Sequence, residues 1–170
     1  MAKTLLDLHL PDSAITEALG AALAHAFTAS STGGVLYLRG ELGSGKTTCA
    51  RSLLHALGIT ATVRSPTYTL VDTYSLGALN CVHVDLYRLR SWAEVEELGL
   101  RDLTGPQHLM LIEWPEKGGN AVPPADVDLQ LLYAGESRVA SLSAVSAMGD
   151  AWLVKLALDT SLVPYVSNLT

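Results

Sequence analysis

The amino-acid sequence predicts an α/β fold: a largely parallel central sheet with antiparallel additions, and helices on both faces. Three observations predict it. Short apolar runs alternate with helical patterns through the first two-thirds of the chain, the signature of strands joined by crossover helices. One such run, Val35-Leu36-Tyr37-Leu38, feeds a glycine-rich turn and then an amphipathic stretch. Two others end in an acid, Asp85 and Glu113.

The elements follow in order. Asp12 or Ser13 caps a helix that begins after Pro11. Ile15, Leu19, Ala22, Leu23, Ala26 and Phe27 keep the helical period and should be buried. Ser30 to Gly34 is a polar turn, and residues 35–38 read as a buried strand. A second helix is expected over Lys46 to Leu57, with Ala50, Leu53, Leu54 and Leu57 inward and Gly58 as its terminator. A loop around Ser65-Pro66 leads into an extended segment. Cys81-Val82-His83-Val84 is a strand, and Ser91 with Glu94 forms a capping box. The helix opened there should bury Trp92, Val95 and Leu98 and close at Gly99. Leu109-Met110-Leu111-Ile112 is the most apolar strand, and Lys117 to Pro124 is a loop. Val127 to Tyr133 and Val139 to Val145, turned at Gly135, read as a hairpin. A last helix is expected over about Trp152 to Leu158, and the tail after Asp159 has no informative pattern. Residues 1–150 are read as one domain, and 151–170 as its C-terminal helix and tail.

At 170 residues, with 49% apolar and 16% charged residues, the chain can bury a full core without staples. Its net charge of −6 makes it a poor stand-alone nucleic-acid binder, because such binding neutralises phosphates with Lys and Arg. Any role on nucleic acid is expected to run through a partner protein. Cys49 and Cys81 stand apart from any metal-ligand spacing and read as small buried residues. The first residues are interrupted by Asp7 and Pro11 and lack a signal-peptide core. No apolar run is long enough to span a bilayer. The expected location is the cytoplasm.

Gly40-Glu41-Leu42-Gly43-Ser44-Gly45-Lys46-Thr47 matches the phosphate-loop pattern at every fixed position. Glycines let successive backbone N–H groups turn inward into an anion-binding nest. The following helix points its positive end at the same phosphates. Lys46 supplies a mobile charge to the β- and γ-phosphates, and Thr47 a hydroxyl to Mg²⁺. The pattern therefore predicts a P-loop NTPase fold with a nucleoside triphosphate and Mg²⁺ as its ligands; ATP is favoured by the absence of a guanine-reading Asn-Lys-x-Asp and by the resemblance below. A second carboxylate must assist the metal, and in open α/β sheets it sits at the carboxyl end of a neighbouring strand. Asp85 and Glu113 both qualify: one should assist Mg²⁺, the other position or deprotonate the attacking water. Spacing leaves their division of labour open. His83 shares a sheet face with Asp85 and reads as a packed histidine; Tyr87 and Trp114 read as cleft walls.

Five blocks together resemble the bacterial TsaE (YjeE) family. They are Gly40 to Thr48, Ser65-Pro66-Thr67-Tyr68-Thr69-Leu70, His83-Val84-Asp85-Leu86-Tyr87-Arg88-Leu89, Glu97-Leu98-Gly99-Leu100-Arg101-Asp102 and Ile112-Glu113-Trp114-Pro115. The resemblance covers roughly residues 5–146. It implies a small ATPase needed to make N6-threonylcarbamoyladenosine at position 37 of tRNAs that read codons beginning with A, acting with TsaB and TsaD. It implies that Lys46 and the loop hold the phosphates, that Thr47 and Glu113 hold Mg²⁺, and that Asp85 is the catalytic aspartate. Thr67 and Tyr68 would lie in a switch-like segment responding to the γ-phosphate, with Thr67 part of the catalytic set. Trp114 would lie beside the nucleotide, Ser13 to Thr16 near the adenine, and Arg138 near the nucleotide. The run Leu89-Arg90-Ser91-Trp92 departs from the family pattern, and the segment after about Met148 is not characteristic of it.

Two other classes compete. A P-loop small-molecule kinase would want an arginine-rich lid, which the later chain lacks. A binding module that uses ATP only as a conformational ligand would show little turnover. A GTPase would want an Asn-Lys-x-Asp guanine reader, which is absent.

Overall fold

The structure, a computed structural model, describes residues 4–170. The expectations about the chain's first residues and the start of the 1–150 span lie outside it where they touch residues 1–3.

Among the described residues eight strands form one sheet: β1 (Leu5–Leu10), β2 (Gly34–Arg39), β3 (Val71–Leu76), β4 (Leu79–Asp85), β5 (His108–Glu113), β6 (Val127–Ala134), β7 (Ser137–Ala144) and β8 (Val166–Leu169). Their spatial order is β3-β4-β5-β2-β6-β7-β1-β8. The central β4, β5, β2 and β6 are parallel to one another. The outer pairs β3–β4, β6–β7, β7–β1 and β1–β8 are antiparallel. This is the expected largely parallel centre with antiparallel additions.

Four α-helices of the described residues cover it: α1 (Ser13–Ser30), α2 (Lys46–Leu57), α3 (Trp92–Glu97) and α4 (Ala147–Ala157). The two-residue period of the strands sorts side chains between two cores. Leu36, Leu38, Cys81, Leu109, Leu111 and Leu129 pack beneath α1, α2 and α4. Val35, Val82, Val84, Met110 and Ile112 face the other way, onto Val95 and Leu100. The helix starts are chemical. The Asp12 carboxylate accepts from the Ile15 N–H at 3.1 Å. Ser91 and Glu94 make the reciprocal capping box. Ser146 Oγ accepts from the Gly149 N–H at 3.1 Å. Such caps each stabilise by about 0.5–2 kcal/mol. Helix α2 ends at Gly58, as expected, in the left-handed conformation.

Close approach fixes how α1 meets α2. A Cβ added to Gly20 would lie 2.4 Å from the Cys49 carbonyl oxygen and 3.0 Å from the Leu53 nitrogen. Only glycine lets α1 touch the backbone of the helix that follows the phosphate loop.

Four expectations need correction. Trp92 is not inward but 66% exposed; α3 is too short to bury more than Val95 completely. The last helix starts at Ala147, five residues earlier than expected, because Gly149 in its first turn weakens the helical pattern. The tail after Asp159 contains β8, which pairs with β1. Strand β1 was itself unread, although Leu6, Leu8 and Leu10 alternate inward, because its partner β7 lies far away in sequence. Among the described residues no helix is long and apolar enough to cross a membrane.

Candidate functional site

Strand register brings the two acids together. Asp85 ends β4 and Glu113 ends β5, and the two are direct neighbours across the parallel pair. Glu113 also lies beside Leu38 of β2, just before the glycine turn. On the face that carries Cys81, Leu109 and Leu111 deeper in the sheet, the strand ends carry His83, Asp85 and Glu113 instead. All three are buried, at 0%, 4% and 2% exposure.

The turn from β2 into α2 has the geometry its glycines require. Gly40 has φ 140°, and a Cβ there would meet the Leu131 carbonyl and Ser44 Oγ, both at 2.5 Å. Helix α2 has no side-chain cap, unlike α1, α3 and α4. Its first N–H groups and the positive end of its dipole are therefore left for an anion.

Lys46 is 4% exposed. Its ammonium donates to the carbonyls of Gly40 at 2.7 Å and Glu41 at 2.8 Å, and lies 4.3 Å from the centroid of the Trp114 ring. Burial lowers its pKa; the charges of Glu113, Asp85 and Glu116 oppose that shift. Thr47 Oγ donates toward both Glu113 oxygens, at 2.9 and 3.0 Å. Glu113 Oε1 also accepts from His83 Nε2 at 2.8 Å.

Asp85 faces a different set of partners. Its Oδ1 accepts from the Tyr87 N–H at 2.8 Å. Its Oδ2 accepts a short hydrogen bond from the Ser65 hydroxyl and a longer one from Thr67, at 3.4 Å. The Ser65–Leu70 segment is thus tied to the end of β4. Tyr68 points outward, 83% exposed, beneath the Arg88 guanidinium at 4.1 Å.

A cleft of about 320 Å³ joins Leu42, Gly43, Gly45, Lys46, Thr47, Thr48, Thr67, Asp85, Glu113 and Trp114, with Ser65, Tyr87 and Arg88. A second, of about 150 Å³, lies on the other side of the turn and joins Ser13, Thr16, Gly43, Ser44, Gly45, Thr48 and Arg138. Ser13 and Arg138 are therefore near the turn but apart from the acids. Arg138 stacks on Tyr133, 3.9 Å from its ring centroid, and the Tyr133 hydroxyl donates to the Leu42 carbonyl at 2.8 Å. Gly40 and Glu41 line neither cleft; their carbonyls hold the Lys46 ammonium. A larger cavity, about 470 Å³, lies at the opposite ends of the parallel strands. The acid that lines it, Asp126, is already engaged by the Val35 N–H and the Ser146 hydroxyl.

Sequence reasoning did not single out Ser65, Tyr133 or the contact of His83 with Glu113. For His83 the signal was its two-residue spacing from Asp85; for Tyr133 there was none, since its contact depends on how the β6–β7 hairpin folds over the turn.

The donor set suits Mg²⁺. That ion takes one or two protein oxygens and completes its shell with phosphate and water, and the Thr47 hydroxyl with the Glu113 carboxylate supplies such a pair. Among the described residues no group of three or more His, Cys, Asp or Glu forms a self-sufficient cage.

A parallel sheet whose strand β2 runs through a glycine turn into an uncapped helix, with acids at the ends of two neighbouring strands, defines a P-loop NTPase. The family model described as "Threonylcarbamoyl adenosine biosynthesis protein TsaE" matches residues 10–140. The Haemophilus influenzae protein named tRNA threonylcarbamoyladenosine biosynthesis protein TsaE is 41% identical over 115 residues, 68% of this chain and 73% of that protein. Its namesake from Synechocystis is 36% identical over 121 residues, 69% of this chain and 74% of that protein. A crystal structure of Bacillus subtilis YdiB superposes with a TM-score of 0.73 at 27% identity, covering 92% of this chain and 97% of that one. The chain belongs to the TsaE family of P-loop ATPases.

Proposed function

We propose that this protein is the Mg²⁺-dependent ATPase that supports formation of N6-threonylcarbamoyladenosine at position 37 of tRNAs reading codons beginning with A, acting with TsaB and TsaD. The observation that carries the reading is the Thr47 hydroxyl bonded to Glu113 beside the glycine turn, in a chain of this family. The full described chain acts as one ATPase domain; α4 packs on α1, and β8 extends the sheet at β1.

The residues divide the work by position. The amides of residues 43–48 and the Lys46 ammonium bind the phosphates. Thr47 and Glu113 would hold Mg²⁺, which would supply positive charge to neutralise the phosphates. Asp85, on the side facing Ser65 and Thr67, orients the attacking water and accepts its proton. Trp114 walls the phosphate side of the cleft, and Ser13 with Arg138 borders the base side.

The same contacts support slow turnover by the isolated chain. Lys46 is bonded to loop carbonyls, and Asp85 to Ser65 and Thr67. Both sets must exchange before the groups serve a substrate, and a partner that repositions residues 65–70 would speed the reaction.

Two measurements test the proposal. ATP hydrolysis should rise when TsaB and TsaD are added together. In cells lacking this protein, the native chain should restore the modified adenosine and Asp85→Ala should not. Restoration by Asp85→Ala at equal abundance would refute the assigned chemistry; phosphate transfer to a small acceptor would favour a kinase.

A further inference from the structure

The acids account for the reactive groups, yet one buried polar side chain beside them has no assigned task. His83 is 0% exposed, and its neighbours on the same sheet face are Cys81, Leu109 and Leu111. Burying an imidazole there costs about 1–3 kcal/mol unless it is hydrogen-bonded, whereas an apolar residue would pack at no such cost. The ring makes one hydrogen bond, from Nε2 to Glu113 Oε1 at 2.8 Å. Nδ1 has no partner among the described residues.

We infer that His83 is a positioning residue that fixes the Glu113 carboxylate for the metal; this rests on the ATPase reading above. Thr47 Oγ lies 2.9 and 3.0 Å from the two Glu113 oxygens, so it barely distinguishes them and restrains rotation of the carboxylate only weakly. The imidazole breaks that symmetry. It holds Oε1 and leaves Oε2 with Thr47 as its one partner among the described residues, open to a further ligand. A cation that demands oxygens at about 2.0–2.1 Å in near-octahedral array tolerates little wobble in its carboxylate. The strand pairing makes this arrangement rigid. Asp85 and Glu113 are in register, and His83 lies one pleat back on β4, opposite Leu111.

The test compares His83→Leu, which packs but cannot donate, with His83→Gln, whose amide N–H reaches the place of Nε2. Mn²⁺ binding to the protein–ADP complex, read by electron paramagnetic resonance, reports the metal without turnover. ATP binding in EDTA and thermal melting report the rest of the site and the fold. His83→Leu should weaken Mn²⁺ by about 10- to 100-fold while metal-free ATP binding stays within about threefold, and His83→Gln should recover most of the loss. If His83→Leu does not fold, His83→Asn, whose amide is too short, replaces it in the comparison with His83→Gln. Unchanged Mn²⁺ affinity in the donor-less variant, equal losses with and without metal, or a folded His83→Gln as weak as it, would each overturn the inference alone. Failure of the native protein to bind Mn²⁺ with ADP would overturn the ATPase reading and this inference together.

Discussion

Replacing Lys46 with Met removes the ammonium but keeps an unbranched apolar stem against Trp114. A unit charge about 4 Å from a phosphate oxygen, at an effective dielectric constant of about 20, contributes about 4 kcal/mol. Lys46, whose ammonium has three N–H donors, must first give up one of its bonds to the Gly40 and Glu41 carbonyls, worth about 1.5–3 kcal/mol for a charged donor. About 1–2.5 kcal/mol remains, or about 5- to 70-fold in Kd. The buried carboxylates of Asp85 and Glu113 push the loss toward the upper end, since without Lys46 they face the triphosphate unopposed. The cost to the fold is that of the carbonyl bonds, offset in part by the burial that lowers the Lys46 pKa against the attraction of its acidic neighbours. Equilibrium titration with a fluorescent ATP analogue in Mg²⁺ gives the affinity, and a thermal melt checks the fold. A Kd shift below about threefold in a variant melting within about 3 °C of the native protein would refute the placement of the phosphates at this lysine.

Three further outcomes follow from the geometry. Asp85→Ala should bind Mg²⁺–ATP normally but lose about 10²- to 10⁴-fold in kcat. It should also expose residues 64–70 to limited proteolysis, because Ser65, Thr67 and the Tyr87 N–H lose their common acceptor; normal turnover would contradict its role. Gly20→Ala should lower stability by about 1–2 kcal/mol, the overpacking cost net of alanine's better helix propensity. That is a fall of about 2–8 °C in Tm, and an unchanged Tm would mean that α1 does not sit against the Cys49 carbonyl as described. Burial, assisted by the Glu113 charge, pushes the Cys49 thiol up from 9.0 to about 12. Its stabilising contribution is therefore complete below pH 9 and is lost as pH rises toward about 12, at about 1.4 kcal/mol per unit of pH. Cys49→Ala should flatten that alkaline decline in denaturant titrations, and identical slopes in the two proteins would be the contrary result.

The features legible in the amino-acid sequence are those whose signals are local. The Gly40–Thr47 turn, the Ser91–Glu94 capping box, the stop at Gly58 and the apolar strands ending in Asp85 and Glu113 are each written within a few neighbouring residues, where backbone conformation and short-range hydrogen bonds decide the outcome. The family was legible for the same reason, since its blocks are contiguous. The rest depends on how distant segments pack. Strand β1 became recognisable through β7, more than a hundred residues later, and β8 through β1. Spacing alone left the two acids interchangeable. Parallel register set Glu113 against Thr47 and His83 and left Asp85 to Ser65, Thr67 and Tyr87. Tyr133 met the Leu42 carbonyl only because the β6–β7 hairpin folds over the turn. A hydrogen bond spans about 3 Å whatever the length of chain between its partners; pairings across distant segments are therefore set by how the elements pack.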